Sequence, residues 1–320
     1  MKILVLDGSA IRAACSMSDA IDAVAAGFVA LSAGRASAPL RSVLELSGPG
    51  AQMLVMPASA RDFPVASVKV VSVANGNREL GLATIQAAVM LVDAQTGAPR
   101  ALLDGATLTA LRTGAAGGLA VRQLAPARCD VAALYGAGAQ AVTQLQGLLS
   151  ERRPHEVRIF APNAGHVDAF IAGFDAPSSV HLVRGDRDSA AGAQVVICAT
   201  NSTRPVFDRG DLGGETHVTG VGSFRPDSCE FEPEILAGAR VVVDHRPAAL
   251  AESGELITAM QRGFIREADV LEIGEANARR QNGDGRTVFK SVGNAIQDLA
   301  VGNRVLARAI AAGLGTWVNL

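Results

Sequence analysis

The longest run of this sequence without a charged residue, 131–150, has the length of a membrane span, yet it carries Gly136, Gly138, Gln140, Gln144 and Gln146. Those residues resolve it into smaller parts. Val-Ala-Ala-Leu-Tyr (131–135) is a short apolar strand, Gly136-Ala137-Gly138-Ala139-Gln140-Ala141 is a glycine turn, and the remainder is a helix. A strand running through GxGxxA into a helix is the pattern of a dinucleotide-binding βαβ unit. Gly136 permits the tight turn, Gly138 lets the backbone approach a pyrophosphate, and Ala141 allows close helix packing. The free amides at the helix start, with Ala139 and Gln140, face the negative charge. Such a unit belongs to a Rossmann-type, doubly wound parallel sheet.

The second strand refines the cofactor. NAD sites usually place an acid at its end to bind the ribose 2′-hydroxyl, but Glu-Val-Arg-Ile-Phe (156–160) is followed by Ala161-Pro162-Asn163-Ala164-Gly165-His166. Nothing there repels a 2′-phosphate, and Asn163 and His166 can donate to one. NADP(H) is therefore preferred, with NAD(H) as the alternative.

Further apolar strands follow at 194–200, 216–222 and 239–244, separated by helical crossovers, which extends the parallel sheet. The first hundred residues differ. A helix at 16–31, with Ser16 as its cap and Gly34 beyond its end, precedes strands at 42–46, 52–56, 67–73 and 87–93. Turn residues at 47–50, 75–77 and 97–99 predict antiparallel connections between them. A long small-residue helix (108–124) joins the two patterns, and a last helix at about 295–312 leads back. The expected organisation is an N-terminal α+β domain, 1–112 with the tail 301–320, and a Rossmann domain, 113–300.

Lysine occurs only at positions 2, 69 and 290, the other basic residues all being arginine. Lys69 lies inside the apolar strand Ser-Val-Lys-Val-Val-Ser-Val, where period-2 alternation puts it on one face with Ser67, Val71 and Val73. A buried ammonium demands an anionic partner. Arg41 and Arg112 are candidates to converge with it on a carboxylate, although taken singly such residues are more often solvated surface charges. Asp227, in the loop after the 216–222 strand, leaves the carboxyl end of a parallel strand, where open α/β sheets place their ligands. It is the candidate acid for proton transfer there, with helix capping as the competing role.

The composition narrows the partners. Twenty-nine basic against 31 acidic residues give a net charge of −2, leaving no cationic excess for a phosphate backbone, and aromatic residues make up only 4%. Nucleic acid is not expected as a partner. Cys15, Cys129, Cys198 and Cys229 share no CxxC spacing and the five histidines form no HExxH pair, so no metal is implied. The N-terminus meets Asp7 too early for the apolar core of a signal peptide, and the expectation is a cytoplasmic protein not associated with a membrane.

Several segments, in their order and spacing, resemble the ornithine cyclodeaminase/mu-crystallin family: Arg41, Val55-Met56-Pro57, Lys69, Leu111-Arg112-Thr113-Gly114-Ala115-Ala116, the GAGAQA turn, Ala199-Thr200-Asn201-Ser202, Gly222-Ser223-Phe224-Arg225-Pro226-Asp227, Val243-Asp244 and Val288-Phe289-Lys290-Ser291-Val292-Gly293. The resemblance implies a homodimer built through the N-terminal sheet and a nicotinamide cofactor lined by Thr113, Thr200, Val221, Ser291 and Gly293. It also implies that Arg41, Lys69 and Arg112, with Met56 beside them, bind a substrate α-carboxylate. Asp227, and with it Lys69, would carry the proton chemistry.

The family includes cyclodeaminases, ketimine and cyclic imino-acid reductases, alanine dehydrogenases, dehydratases and a binding protein. In the ornithine-cyclising members a glutamate stands two residues before the Met-Pro pair. Here that position is Leu54, similar to the reductases. The expected activity is NAD(P)H-dependent reduction of a small cyclic α-imino acid, Δ1-pyrroline-2-carboxylate or Δ1-piperideine-2-carboxylate, to the L-amino acid. A lyase using bound NAD, an alanine dehydrogenase-like enzyme and a non-catalytic binder are the alternatives.

Overall fold

The computed structural model describes residues 2–48, 50–281 and 285–319. Pro49, in the expected 47–50 turn, lies outside them. The chain forms two compact units, Met1–Arg112 with Asn294–Leu320, and Thr113–Gly293.

The first unit holds strands β1 (Lys2–Leu6), β2 (Ala36–Ser37), β3 (Ser42–Glu45), β4 (Gln52–Ala60), β5 (Val65–Val73), β6 (Ile85–Asp93), β7 (Pro99–Asp104) and β16 (Thr316–Asn319). They order as β16-β1-β7-β6-β5-β4-β2, with β3 also paired to β4. The β4-β5-β6-β7 ladder is antiparallel, as the turn residues predict, while β1 joins β7 in parallel. Helices α1 (Gly8–Ala14), α2 (Met17–Ser32) and α8 (Ala295–Ala312) complete the unit. Ser16 caps α2 by accepting from the Asp19 amide. Gly27 on α2 meets Ala300 on α8 so closely that a Cβ there would stand 2.9 Å from the alanine methyl. Because α8 is capped by Asn294 and packs whole on α2 and β4–β6, the unit boundary falls at 293/294 rather than at 300. Strand β7 and the terminal strands β1 and β16 escape the sequence pattern because their apolar runs are short and lie beside Gly and Pro.

The second unit contains β8 (Val131–Tyr135), β9 (Glu156–Phe160), β10 (His181–Arg184), β11 (Val195–Cys198), β12 (His217–Gly220), β13 (Arg240–Val243), β14 (Val270–Glu272) and β15 (Thr287–Lys290). All pair in parallel, in the order β10-β9-β8-β11-β12-β15-β13-β14. Eight strands form this sheet, not the five apparent from apolar runs. The chain runs outward from β8 to β10, then restarts at β11 on the other side, so the β8 turn sits at a topological switch point. Helices α4 (Ala139–Glu151), α5 (Ala164–Gly173), α6 (Arg246–Glu252) and α7 (Gly254–Gln261) serve this unit, and α3 (Gly105–Leu124) runs from the first unit into it. Alternate residues of each strand feed two cores. Ala132, Leu134, Val195 and Ile197 enter one, and Ala133, Tyr135, Val196 and Cys198 the other, which is why these strands read as continuous apolar runs. No single helix among the described residues is long and apolar enough to cross a membrane.

The buried polar groups of this sheet include a histidine. His217, fully buried, has Nδ1 2.9 Å from Thr287 Oγ1 and Nε2 2.9 Å from Thr219 Oγ1. Thr287 gives its hydroxyl proton to the Leu124 carbonyl, so it accepts from Nδ1–H, and Nε2 accepts from Thr219. Burial, with Arg280 and Arg152 adding repulsion, pushes this imidazole down to about 3. Below its ordinary value of about 6.5 the unfolded chain binds a proton that the native state refuses. Its contribution is therefore complete above pH about 6.5 and is lost as pH falls toward 3, by up to about 1.4 kcal/mol per pH unit. Denaturant titrations over that range should give a shallower pH dependence for His217→Gln than for the parent; equal slopes would contradict the assignment.

Candidate functional site

In the first unit, antiparallel register sets Met56 on β4 opposite Lys69 on β5, with Val89 on β6 at the other flank. Leu54, Met56, Lys69 and Val89 are all buried there, and α8 packs on these strands. Lys69 is 2% exposed, and its Nζ donates to both oxygens of Asp298 on α8 at 3.1 and 2.9 Å. Arg112, buried on α3, places Nε 3.3 Å from Asp298 Oδ1, out of line for a hydrogen bond, and donates from Nη1 to Gln297 Oε1. Arg41, half-buried just before β3, is close enough to disfavour the charge on Lys69.

The structure thus brings Lys69, Arg112, Arg41 and Met56 to one place and adds two residues that the pattern had not marked, Gln297 and Asp298. The anionic partner demanded by Lys69 is supplied from within the chain. A signal for it exists, since Asp298 is the only acidic residue after Asp284. Two cations share one buried carboxylate, leaving the trio with a net charge of +1. Three donors are buried without a hydrogen-bond partner: Ser67 Oγ, two residues before Lys69, Arg112 Nε, whose contact with Asp298 is ionic only, and Gln297 Nε2. Burial foremost, then the charge of Arg112, draws the Lys69 ammonium down to about 8 against the opposing pull of Asp298.

In the second unit, parallelism puts the carboxyl ends of all eight strands at one edge of the sheet. The loops leaving β8, β9, β11, β12 and β15 carry Gly136–Gln140, Asn163, Thr200, Val221 and Asp227, and Ser291 with Gly293, respectively. Gly136 has φ +112°, and a Cβ on it would strike the Ala199 carbonyl at 2.4 Å. Gly138 caps α4 without any side-chain acceptor for the first-turn amides, and its Cβ position faces open space. Ala139 is exposed and Gln140 half-buried at this helix start, while Ala141 is fully buried against the sheet. An uncapped helix start beside an open glycine fits a bound pyrophosphate. Asn163 caps α5, its Oδ1 accepting from the Gly165 and His166 amides, and His166 is exposed.

Two fully buried carboxylates stand behind these loops. Asp244, at the end of β13, accepts from Ser291 Oγ at 2.7 Å and Gly293 N at 2.8 Å, and burial raises its pKa against those hydrogen bonds. Glu230 accepts from Thr200 and from the Gly222 and Ser223 amides. Thr113 is buried on α3, its carbonyl accepting from Gln144. Asp227 is 67% exposed on its side chain, 3.1 Å from Arg225 Nη2, and caps none of the described helices. Among the described residues, no group of three or more His, Cys, Asp or Glu side chains is arranged to hold a metal ion.

The model of the ornithine cyclodeaminase/mu-crystallin family matches residues 1–313. The chain belongs to the ornithine cyclodeaminase/mu-crystallin family. Within that family it is 32% identical, over 98% of both chains, to a Δ1-pyrroline-2-carboxylate reductase of Bacillus cereus. A solved structure of the Δ1-pyrroline-2-carboxylate reductase of Thermococcus litoralis, in complex with NADH and L-proline, superposes with a TM-score of 0.90 at 32% identity, covering 99% of this chain and all of that one. An archaeal alanine dehydrogenase dimer with bound NAD superposes with a TM-score of 0.89 at 30% identity over the full length of both. The Rossmann-type second unit is that of this family.

Asp298 provides a direct check on the cation cluster. Asp298→Asn leaves two buried cations without their counter-charge and should destabilise the fold by about 3–5 kcal/mol. Chemical denaturation measures this; a loss of less than about 1 kcal/mol would show that the carboxylate is not what stabilises the pair.

Proposed function

We propose that this chain reduces a small cyclic α-imino acid, Δ1-pyrroline-2-carboxylate or Δ1-piperideine-2-carboxylate, to the L-amino acid with a reduced nicotinamide cofactor. The carrying observation is the buried trio of net charge +1, whose lysine lies beside apolar Met56 and on one face of the sheet with Leu54 of the neighbouring strand. An excess cation with unpartnered donors suits a carboxylate, and an apolar surround suits a carbon ring. A substrate with a second, charged amine would need an acid there, and position 54 is leucine. This favours the reductase over the cyclodeaminase.

Arg41, Lys69 and Arg112 neutralise the α-carboxylate and fix the ring's orientation, which supplies much of the rate. Asp227 stabilises the proton on the imine nitrogen, since the iminium accepts hydride far more readily than the neutral imine. When bound, the reduced nicotinamide supplies the hydride. Gly136, Gly138, Ala139 and Gln140 hold its pyrophosphate, while Thr113, Thr200, Val221, Ser291 and Gly293 line it. NADPH is the preferred form, because no acid follows β9 and Asn163, with Oδ1 committed to its helix cap, keeps Nδ2 as a donor. A homodimer is in keeping with the exposed apolar Val43, Leu44, Val70 and Ile85 on β3, β5 and β6. Sedimentation velocity should show a dimer, and a monomer at assay concentration would reject it.

The deciding assay is cofactor oxidation with both imino acids, NADPH against NADH. Turnover with preference for NADPH is expected. No oxidation with either cofactor would sink the reductase. Arg112→Ala should raise KM by about 10- to 150-fold through loss of a bond worth roughly 1.5–3 kcal/mol, and Asp227→Asn should lower kcat with the fold intact. Lys69 carries its charge below pH about 8 and loses it above, so KM should climb between pH about 8 and about 9.5. A flat KM across that interval would remove Lys69 from the carboxylate site.

A further inference from the structure

Glu230 begins the chain's return into the core after the Asp227 loop, and it is fully buried. Its Oε1 accepts from the Thr200 amide at 2.8 Å and the Thr200 hydroxyl at 2.9 Å; its Oε2 accepts from the Gly222 amide at 2.6 Å and the Ser223 amide at 3.2 Å. One carboxylate therefore takes four donors from two loops that leave the neighbouring strands β11 and β12. The space around it is tight, since a Cβ on Gly222 would stand 2.0 Å from the Thr200 carbonyl and 2.5 Å from Glu230 Oε1. Glu230 is itself held from behind. Its own amide donates to Glu255 Oε1 at 2.8 Å, and Lys290 Nζ lies 3.1 Å from that same oxygen and 3.9 Å from Glu230 Oε2.

We propose that Glu230 is a positioning residue for the reaction: its carboxylate locks the Thr200 loop and the Gly222–Asp227 loop into one fixed arrangement at the cofactor edge of the sheet. A carboxylate is required chemically. Four donors converge on it, and only a group with two acceptor oxygens and no hydrogen of its own can face them all. A glutamine in its place would turn an NH2 toward one pair of donors, releasing one loop or the other. The functional part rests on the cofactor reading above, whereas the locking of the loops stands on the geometry alone.

The test uses the full-length protein as Glu230→Gln, with two readouts. Hydrogen exchange by mass spectrometry reports the amides of Thr200, Gly222 and Ser223, and titration of nicotinamide fluorescence reports the Kd for NADPH and NADH. Loss of protection in one loop or the other together with a cofactor Kd raised about tenfold or more is expected, with Glu230→Asp, which keeps both oxygens on a shorter arm, falling between. His217→Gln, a buried polar change in β12 away from these loops, should lower stability while leaving both Kd values within about twofold. Unchanged protection in Glu230→Gln would overturn the locking role. Lost protection with an unchanged Kd would reduce Glu230 to a structural residue and overturn its functional part. A parent protein that binds neither cofactor would instead reject the functional reading, and the exchange data would then decide the locking role by themselves.

Discussion

A charge cannot be taken out of water without a counter-charge, and in the first unit that requirement decides which segments must meet. Lys69 and Asp298 are 229 residues apart in sequence and both are buried. Their pairing, with Arg112 alongside, fixes α8 over β5 and brings the end of the first unit's α3 segment to the same point. The desolvation cost of three ionised groups makes any other location for α8 expensive. The same cluster that orders the unit leaves a positive remainder and donors without hydrogen-bond partners, so the structural constraint and the proposed carboxylate site have one physical origin.

The second unit obeys a geometric constraint. Because every strand runs in the same direction, every strand-to-helix turn that carries chemistry emerges at one edge. Loops at such an edge have no ladder to hold them, and this sheet holds them with buried carboxylates instead. Asp244 collects the Ser291 hydroxyl and the Gly293 amide, and Glu230 collects Thr200 with the Gly222 and Ser223 amides. In each case one buried acid accepts hydrogen bonds from loop residues that follow different strands.

Much of this was legible in the sequence, and the remainder was not for identifiable reasons. The glycine turn was legible because its chemistry is local: positive φ, close approach and small side chains are demanded within six residues. The first long helix, read at 16–31 from its apolar face and its Ser16 cap, forms over 17–32, and the last helix forms at the expected 295–312. Strands β10, β14 and β15 were not legible, since none of them stands in an apolar stretch like those that revealed the equally short β11, β12 and β13. Lys69 could be marked as needing an anion, but not which one, because its partner is distant in sequence. Glu230 was invisible as anything but one more acid, since its meaning lies in four donors from two other loops. Asp227 was correctly placed in a loop at a strand's carboxyl end, but its exposure and its pairing with Arg225 became visible only in three dimensions.

The discontinuous first unit has a consequence for the order of assembly. During synthesis, residues 113–293 have all left the ribosome before Asp298 does, so the unit encoded in the middle of the chain can be complete while the one encoded first is still missing its last helix. Until that moment Lys69 and Arg112 have no buried carboxylate to pair with, and β4–β6 have no α8 to cover their apolar face. The N-terminal sheet is thus the part of the nascent chain that stays unfinished longest, and the one with most to gain from a chaperone's protection while it waits.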